Sequence, residues 1–93
     1  YSLPPVICNL RFPSDKWIRL DVSIPVEPDT LETFNNLKDQ ISEDILMFVR
    51  TVSLPELEED FGLIYLKTDL TERLQIRSEN KLNEIVITSL VVQ

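Results

Sequence analysis

The chain has 93 residues, a formal charge of −7, no histidine and one cysteine. That balance argues against a nucleic-acid partner, because phosphate binding needs clustered Lys and Arg, and the nine basic residues here are scattered. Cys8 by itself closes no internal disulfide, so the chain is not a disulfide scaffold, and 43% hydrophobic residues suit one small domain with its own core.

Residues 1–5 contain Pro4 and Pro5, which lack backbone donors and favour extended geometry, so they are expected to form a linker. With no initiator Met, Tyr1 is expected to be an internal point of a longer protein. No run approaches the roughly 20 apolar residues that cross a bilayer, so any membrane anchor or signal peptide is expected to lie outside these residues. In residues 6–12, Val6, Cys8, Leu10 and Phe12 alternate onto one face of a first strand, where Cys8 reads as a core thiol. Pro13 to Lys16 carries turn chemistry. A second strand follows, with Ile18, Leu20, Val22, Ile24 and Val26 inward and Trp17, Arg19, Asp21 and Ser23 outward. The short turn predicts an antiparallel hairpin, and Pro25 predicts an edge, a bulge or loss of pairing.

Residues 30–52 form the longest periodic stretch. Leu31, Phe34, Leu37, Ile41, Ile45, Phe48 and Val52 recur every three or four residues, the stripe of an amphipathic helix roughly 35 Å long. Asp29 and Glu32 have capping-box spacing at its start. Leu46 and Val49 lie beside the stripe and widen it, which requires either a second buried contact or a partner surface.

Ser53 and Glu56, with Pro55 between them, make a second capping box and start a short helix that ends near Gly62. As the chain's single glycine, Gly62 is expected to adopt backbone angles that other residues resist. Leu63, Leu66, Leu70 and Leu74 then predict a third helix with one dry face. After a polar turn, residues 85–92 are rich in β-branched side chains and predict a last strand. Its apolar residues fall on both parities, which predicts pairing or covering on both sides. The expected fold is α+β: a small three-stranded, largely antiparallel sheet packed against one long and two shorter helices, in the order β-β-α-α-α-β.

No catalytic constellation emerges. Histidine-dependent triads are excluded, and one glycine rules out phosphate-cradling loops and dinucleotide fingerprints. The densest charge run is Glu56, Glu58, Glu59 and Asp60; it lacks the glycine and alternate ligands of a calcium loop and reads first as a solvated helix face. No metal or cofactor is expected. A contact function is the alternative for this run, as it is for Trp17 on the polar side of the second strand, since exposed Trp is enriched at binding hot spots.

This order of elements resembles the periplasmic domain of the flagellar basal-body protein FliL. Cys8-Asn9-Leu10 is similar to the family's first strand, and Ser23-Ile24-Pro25-Val26 to the end of its second. Gln40-Ile41, Asp44-Ile45-Leu46 and Val49-Arg50-Thr51 resemble its helix, and Glu56-Leu57 with Gly62 its short following segment. The tail from Ile85 to Gln93 is similar to the family's closing strand. Leu63 stands where the family commonly has Lys, and Leu90 where it commonly has Phe. The resemblance implies a stomatin (SPFH)-like domain over residues 6–93, residues 1–5 linking it to an upstream inner-membrane helix, and a periplasmic location. It also implies a non-catalytic protein that self-associates as a ring or arc around the stator proteins MotA and MotB and supports motility. Leu46, Val49, Glu56, Glu58, Glu59, Asp60 and Trp17 are the expected partner-contact residues. The competing expectations are a membrane scaffold unrelated to motility, and a hydrolase using two convergent carboxylates.

Overall fold

A computed structural model describes residues 1–93. Three antiparallel strands, β1 (Val6–Asn9), β2 (Trp17–Ser23) and β3 (Val86–Val92), form a sheet in the order β1-β2-β3. The helices are α1 (Leu31–Val49), α2 (Leu54–Glu58) and α3 (Gly62–Arg77). The α+β class and the β-β-α-α-α-β order are those expected. None of the helices is long and apolar enough to cross a membrane.

Strand β2 is central, paired with β1 on one side and β3 on the other, and its alternation is clean: Ile18, Leu20 and Val22 face the core with Ile24 just beyond, and all four are sealed from solvent. Strand β1 is shorter than expected. After Leu10 the chain turns towards the end of α1, where the Arg11 N–H donates to Val52 O and the Leu54 N–H donates to Phe12 O (2.9 and 2.8 Å). Phe12, expected in the core, is therefore 59% exposed. The leading residues are not loose: the Ile24 N–H donates to Tyr1 O, the Leu3 N–H donates to Val22 O, and Leu3 is buried. The Tyr1 ring lies 5.5 Å from that of Phe34.

Strand β3 corrects a second expectation. It pairs with β2 alone and forms an edge. Its apolar residues occupy both parities because a bulge opposite Asp21 and Val22 shifts the alternation by one residue. Ile87, Leu90 and Val92 are opposite Val22, Leu20 and Ile18, so all three share the core side, while Val86, Ser89 and Val91 turn outward. The Thr88 hydroxyl, at the bulge, donates to Asp21 O.

Helix α1 begins after a 3-10 turn at Pro28–Thr30. The capping pair is Glu27 and Thr30, not Asp29 and Glu32: the Glu27 N–H donates to Thr30 Oγ1 at 3.1 Å. The helix stops at Val49, three residues before the expected end, because Val52 and Leu54 are drawn into pairing with Arg11 and Phe12. It buries Phe34, Ile41, Ile45 and Val49. The extra width of its apolar face is used internally, since α1 packs against β1 on one side and α3 on another. Val49 is fully buried and Leu46 is half-buried against the core, so the second buried contact accounts for both.

Helix α3 contributes Leu66, Leu70 and Leu74 to the core. It is clamped to α1 by a bidentate pair, with Arg77 Nε and Nη2 donating to Asp44 Oδ2 and Oδ1 at 2.7 and 2.8 Å. Arg73 also stacks 4.4 Å over the Phe48 ring. Its end turns through Glu79 and Asn80, whose φ angles of 54° and 65° are left-handed. Inside that turn the buried Ser78 hydroxyl donates to Leu74 O and accepts the Leu82 N–H (2.8 and 3.0 Å). Ser78→Ala would leave that N–H unpaired in a dry site, and chemical denaturation should show a loss of about 1–2 kcal/mol. An unchanged midpoint would mean that the hydroxyl is dispensable to the turn.

Candidate partner-contact site

The expected contact residues separate into three groups. Val49 is removed by burial, because a side chain with no accessible surface touches no partner, and Leu46 is largely claimed by the core. Trp17 is half exposed on the outer face of the sheet, paired through its backbone with Gln93 and sharing a shallow groove with Ile7, Asn9 and Arg50. Glu56, Glu58, Glu59 and Asp60 are all exposed on α2 and the turn after it. The Trp17 groove and the groove beside α2 have no residue in common.

Local sequence sets the geometry around α2. Ser53 caps it, and Glu56 reaches back to accept the Ser53 N–H at 3.4 Å, the capping box expected. Glu56 also accepts from Arg11 Nη2 at 3.0 Å, which ties α2 to the segment after β1. The Ser53 amide, with smaller help from Arg11 and against some desolvation, holds the Glu56 carboxyl below the usual glutamate range. A depressed folded-state value means that the carboxylate adds stability above the ordinary glutamate pKa, and that this is lost as pH falls through the folded value. Over half of this side chain is exposed, so the effect is small. Glu56→Gln should be less stable than the parent at pH 7, with the gap closing below about pH 4. Urea midpoints of equal separation at pH 7 and pH 3 would count against that assignment.

The sequence reading missed the apolar surface beside this acidic run. Leu63 was expected in the dry stripe of α3 but is 52% exposed, and Phe61, Ile64 and Tyr65 are exposed with it. Phe61 and Tyr65 meet edge to face, 6.4 Å between centroids. A signal was present: Ile64 and Tyr65 fall off the 66-70-74 stripe, so one dry face never accommodated them. Next to this patch a groove of about 160 Å³ runs between α1, α2 and α3. Phe48, Leu57, Tyr65 and Leu66 supply its apolar walls, and Glu56, Glu59 and Asp69 are on its rim.

Other features carry less chemistry. A wider depression of about 510 Å³ is lined by Asp44, Met47, Arg73, Ile76, Arg77 and Glu79, where Asp44 and Arg77 already satisfy each other. No three carboxylate or thiol groups converge as metal ligands. Cys8 is buried, and that burial raises its thiol pKa against a smaller opposing pull from Arg50, so it stays protonated at neutral pH.

An acidic, partly apolar surface on a small α+β domain fits a binding role more readily than a reaction. Comparison with curated proteins finds no match. The sequence profile of the family described as flagellar basal body-associated protein FliL matches residues 1–93, the whole of the chain. The chain therefore belongs to the FliL family of flagellar basal body-associated proteins.

Proposed function

We propose that this chain is a non-catalytic accessory domain that self-associates as a ring or arc around the MotA and MotB stator and promotes motility. The observation carrying the reading is the family match over all 93 residues. In this reading the domain is periplasmic and is held at the inner membrane by a helix upstream of Tyr1. The partner face is the end formed by α2 and the start of α3, where Glu58, Glu59 and Asp60 adjoin Phe61, Ile64 and Tyr65, all exposed. A surface mixing apolar anchors with one sign of charge supports selective docking, because the apolar part supplies affinity and the charge selects the partner.

The test is genetic. Cells lacking the gene should swim at less than about half the normal speed in viscous medium, where stators must be retained under load. Complementation with the Glu58→Lys, Glu59→Lys, Asp60→Lys triple variant should fail to restore speed although the protein accumulates normally. Normal speed and normal stator retention in the deletion strain would remove the proposal. Full rescue by the triple variant, with self-association intact, would remove the assigned face.

A further inference from the structure

The groove between α1, α2 and α3 has a chemistry of its own. Its walls are apolar, and its volume of about 160 Å³ is close to that of engineered apolar cavities, roughly 150 Å³, that take up benzene. Three carboxylates stand on its rim. Glu56 is partly neutralised by Arg11, whereas Glu59 and Asp69 are in no salt bridge. We infer that the groove receives one aliphatic side chain from a basic amphipathic helix of a partner, with Lys or Arg flanking that anchor and meeting Glu59 and Asp69. The inference rests on the assignment of the α2–α3 end as the partner face, and it names what that face selects.

Each part of the occupant follows from the groove. Of the walls, Phe48, Leu57 and Leu66 offer no hydrogen-bonding side chain and Tyr65 carries a single hydroxyl, so the inserted group is mainly apolar, and the dimensions admit one side chain rather than a stretch of backbone. An acidic or neutral segment would leave the rim carboxylates facing like charge or losing water without compensation. Lysine and arginine on either side of the anchor compensate both. Beyond the rim the exposed Phe61, edge to face with the groove residue Tyr65, continues the apolar surface at the start of α3, and a second turn of an amphipathic helix fits there better than a single inserted residue. The net charge of −7 steers a basic partner towards the domain from a distance.

The probe is a fluorescein-labelled 18-residue peptide of Leu and Lys at helical spacing, titrated into the chain and read by anisotropy. Two further peptides isolate the two components: one with every Leu replaced by Ser, and one with every Lys replaced by Glu. The Leu/Lys peptide should bind, the Ser version at least about tenfold more weakly, and the Glu version not measurably. Glu59→Lys with Asp69→Lys should weaken binding of the Leu/Lys peptide by about tenfold or more, with thermal melting verifying the fold. Glu32→Lys with Asp39→Lys, an equal charge change at exposed positions of α1, should leave it nearly unchanged. Equal binding of the Ser version, an equal loss in the α1 variant, or no binding of the Leu/Lys peptide would each overturn the inference. Sedimentation of the free chain provides another outcome: a dimer that Glu59→Lys with Asp69→Lys dissociates would replace the basic helix with a second copy. Failure here is separable from failure of the assigned face. Lost motility in the triple variant together with no peptide binding keeps the face and removes its proposed occupant.

Discussion

Leu70→Ala is expected to destabilise the domain by about 3 kcal/mol, while Leu63→Ala on the same helix should change stability by less than about 0.5 kcal/mol. Both leucines belong to one heptad-like stripe in the sequence, yet Leu70 has no accessible surface and Leu63 is 52% exposed. Leu70 lies between α1 and α3 beside Ile41, Ile45 and Leu74, where truncation removes transfer free energy and leaves a cavity that two clamped helices close only in part. At Leu63 there is no cavity to create. For a domain of this size the first variant should melt roughly 10–20 °C lower. Comparable losses at both positions would show that the stripe is buried throughout and that the start of α3 is turned differently.

Gly62→Ala is the second large effect, for a reason unrelated to backbone angles. The expectation of an unusual conformation at Gly62 is not met: its φ is not positive, and the left-handed residues are Glu79 and Asn80. What Gly62 supplies is space. A Cβ there would collide with Glu56 O and lie 2.6 Å from Leu57 O and 2.9 Å from Leu57 C, all backbone atoms of α2. No rotamer change relieves such a contact, so α2 and its capping box must shift. Alanine's better helix propensity returns up to about 1 kcal/mol, which leaves a net loss of about 2 kcal/mol and a melting temperature roughly 10 °C lower. If conformational freedom were the only role of Gly62, alanine at an ordinary helical φ would be neutral or stabilising by about 0.4–1 kcal/mol. The sign of the change in melting temperature therefore separates the two explanations.

The two substitutions bear on function differently. Gly62→Ala moves α2 against α3 and so disturbs the groove they share, whereas Leu63→Ala removes an exposed apolar group without altering the frame. Motility lost in the second variant at full stability would extend the partner face to Leu63.

Much of the domain was legible from local sequence because its signals are local. Alternation placed the inward residues of β2, Pro25 lies just past the end of its pairing, and the Ser53–Glu56 box started α2 where expected, since each depends on residues within one turn or one strand. The resemblance to FliL was likewise carried by the order of such elements. Tertiary structure decided whatever depended on a distant partner. Helix α1 ends early because Arg11 and Phe12, some forty residues away in sequence, pair with the segment after it. Val49 is core and not contact surface because α1 packs against both β1 and α3. The faces of β3 were misread because a bulge opposite β2 changes parity without any mark in the composition. The groove rimmed by Glu56, Glu59 and Asp69 arises the same way: its walls come from three helices, and no stretch of sequence shorter than the whole fold brings them together. Periodicity states which residues need burial, but the amount of surface a neighbour covers is set by packing between elements, and that packing leaves Phe61, Leu63, Ile64 and Tyr65 exposed.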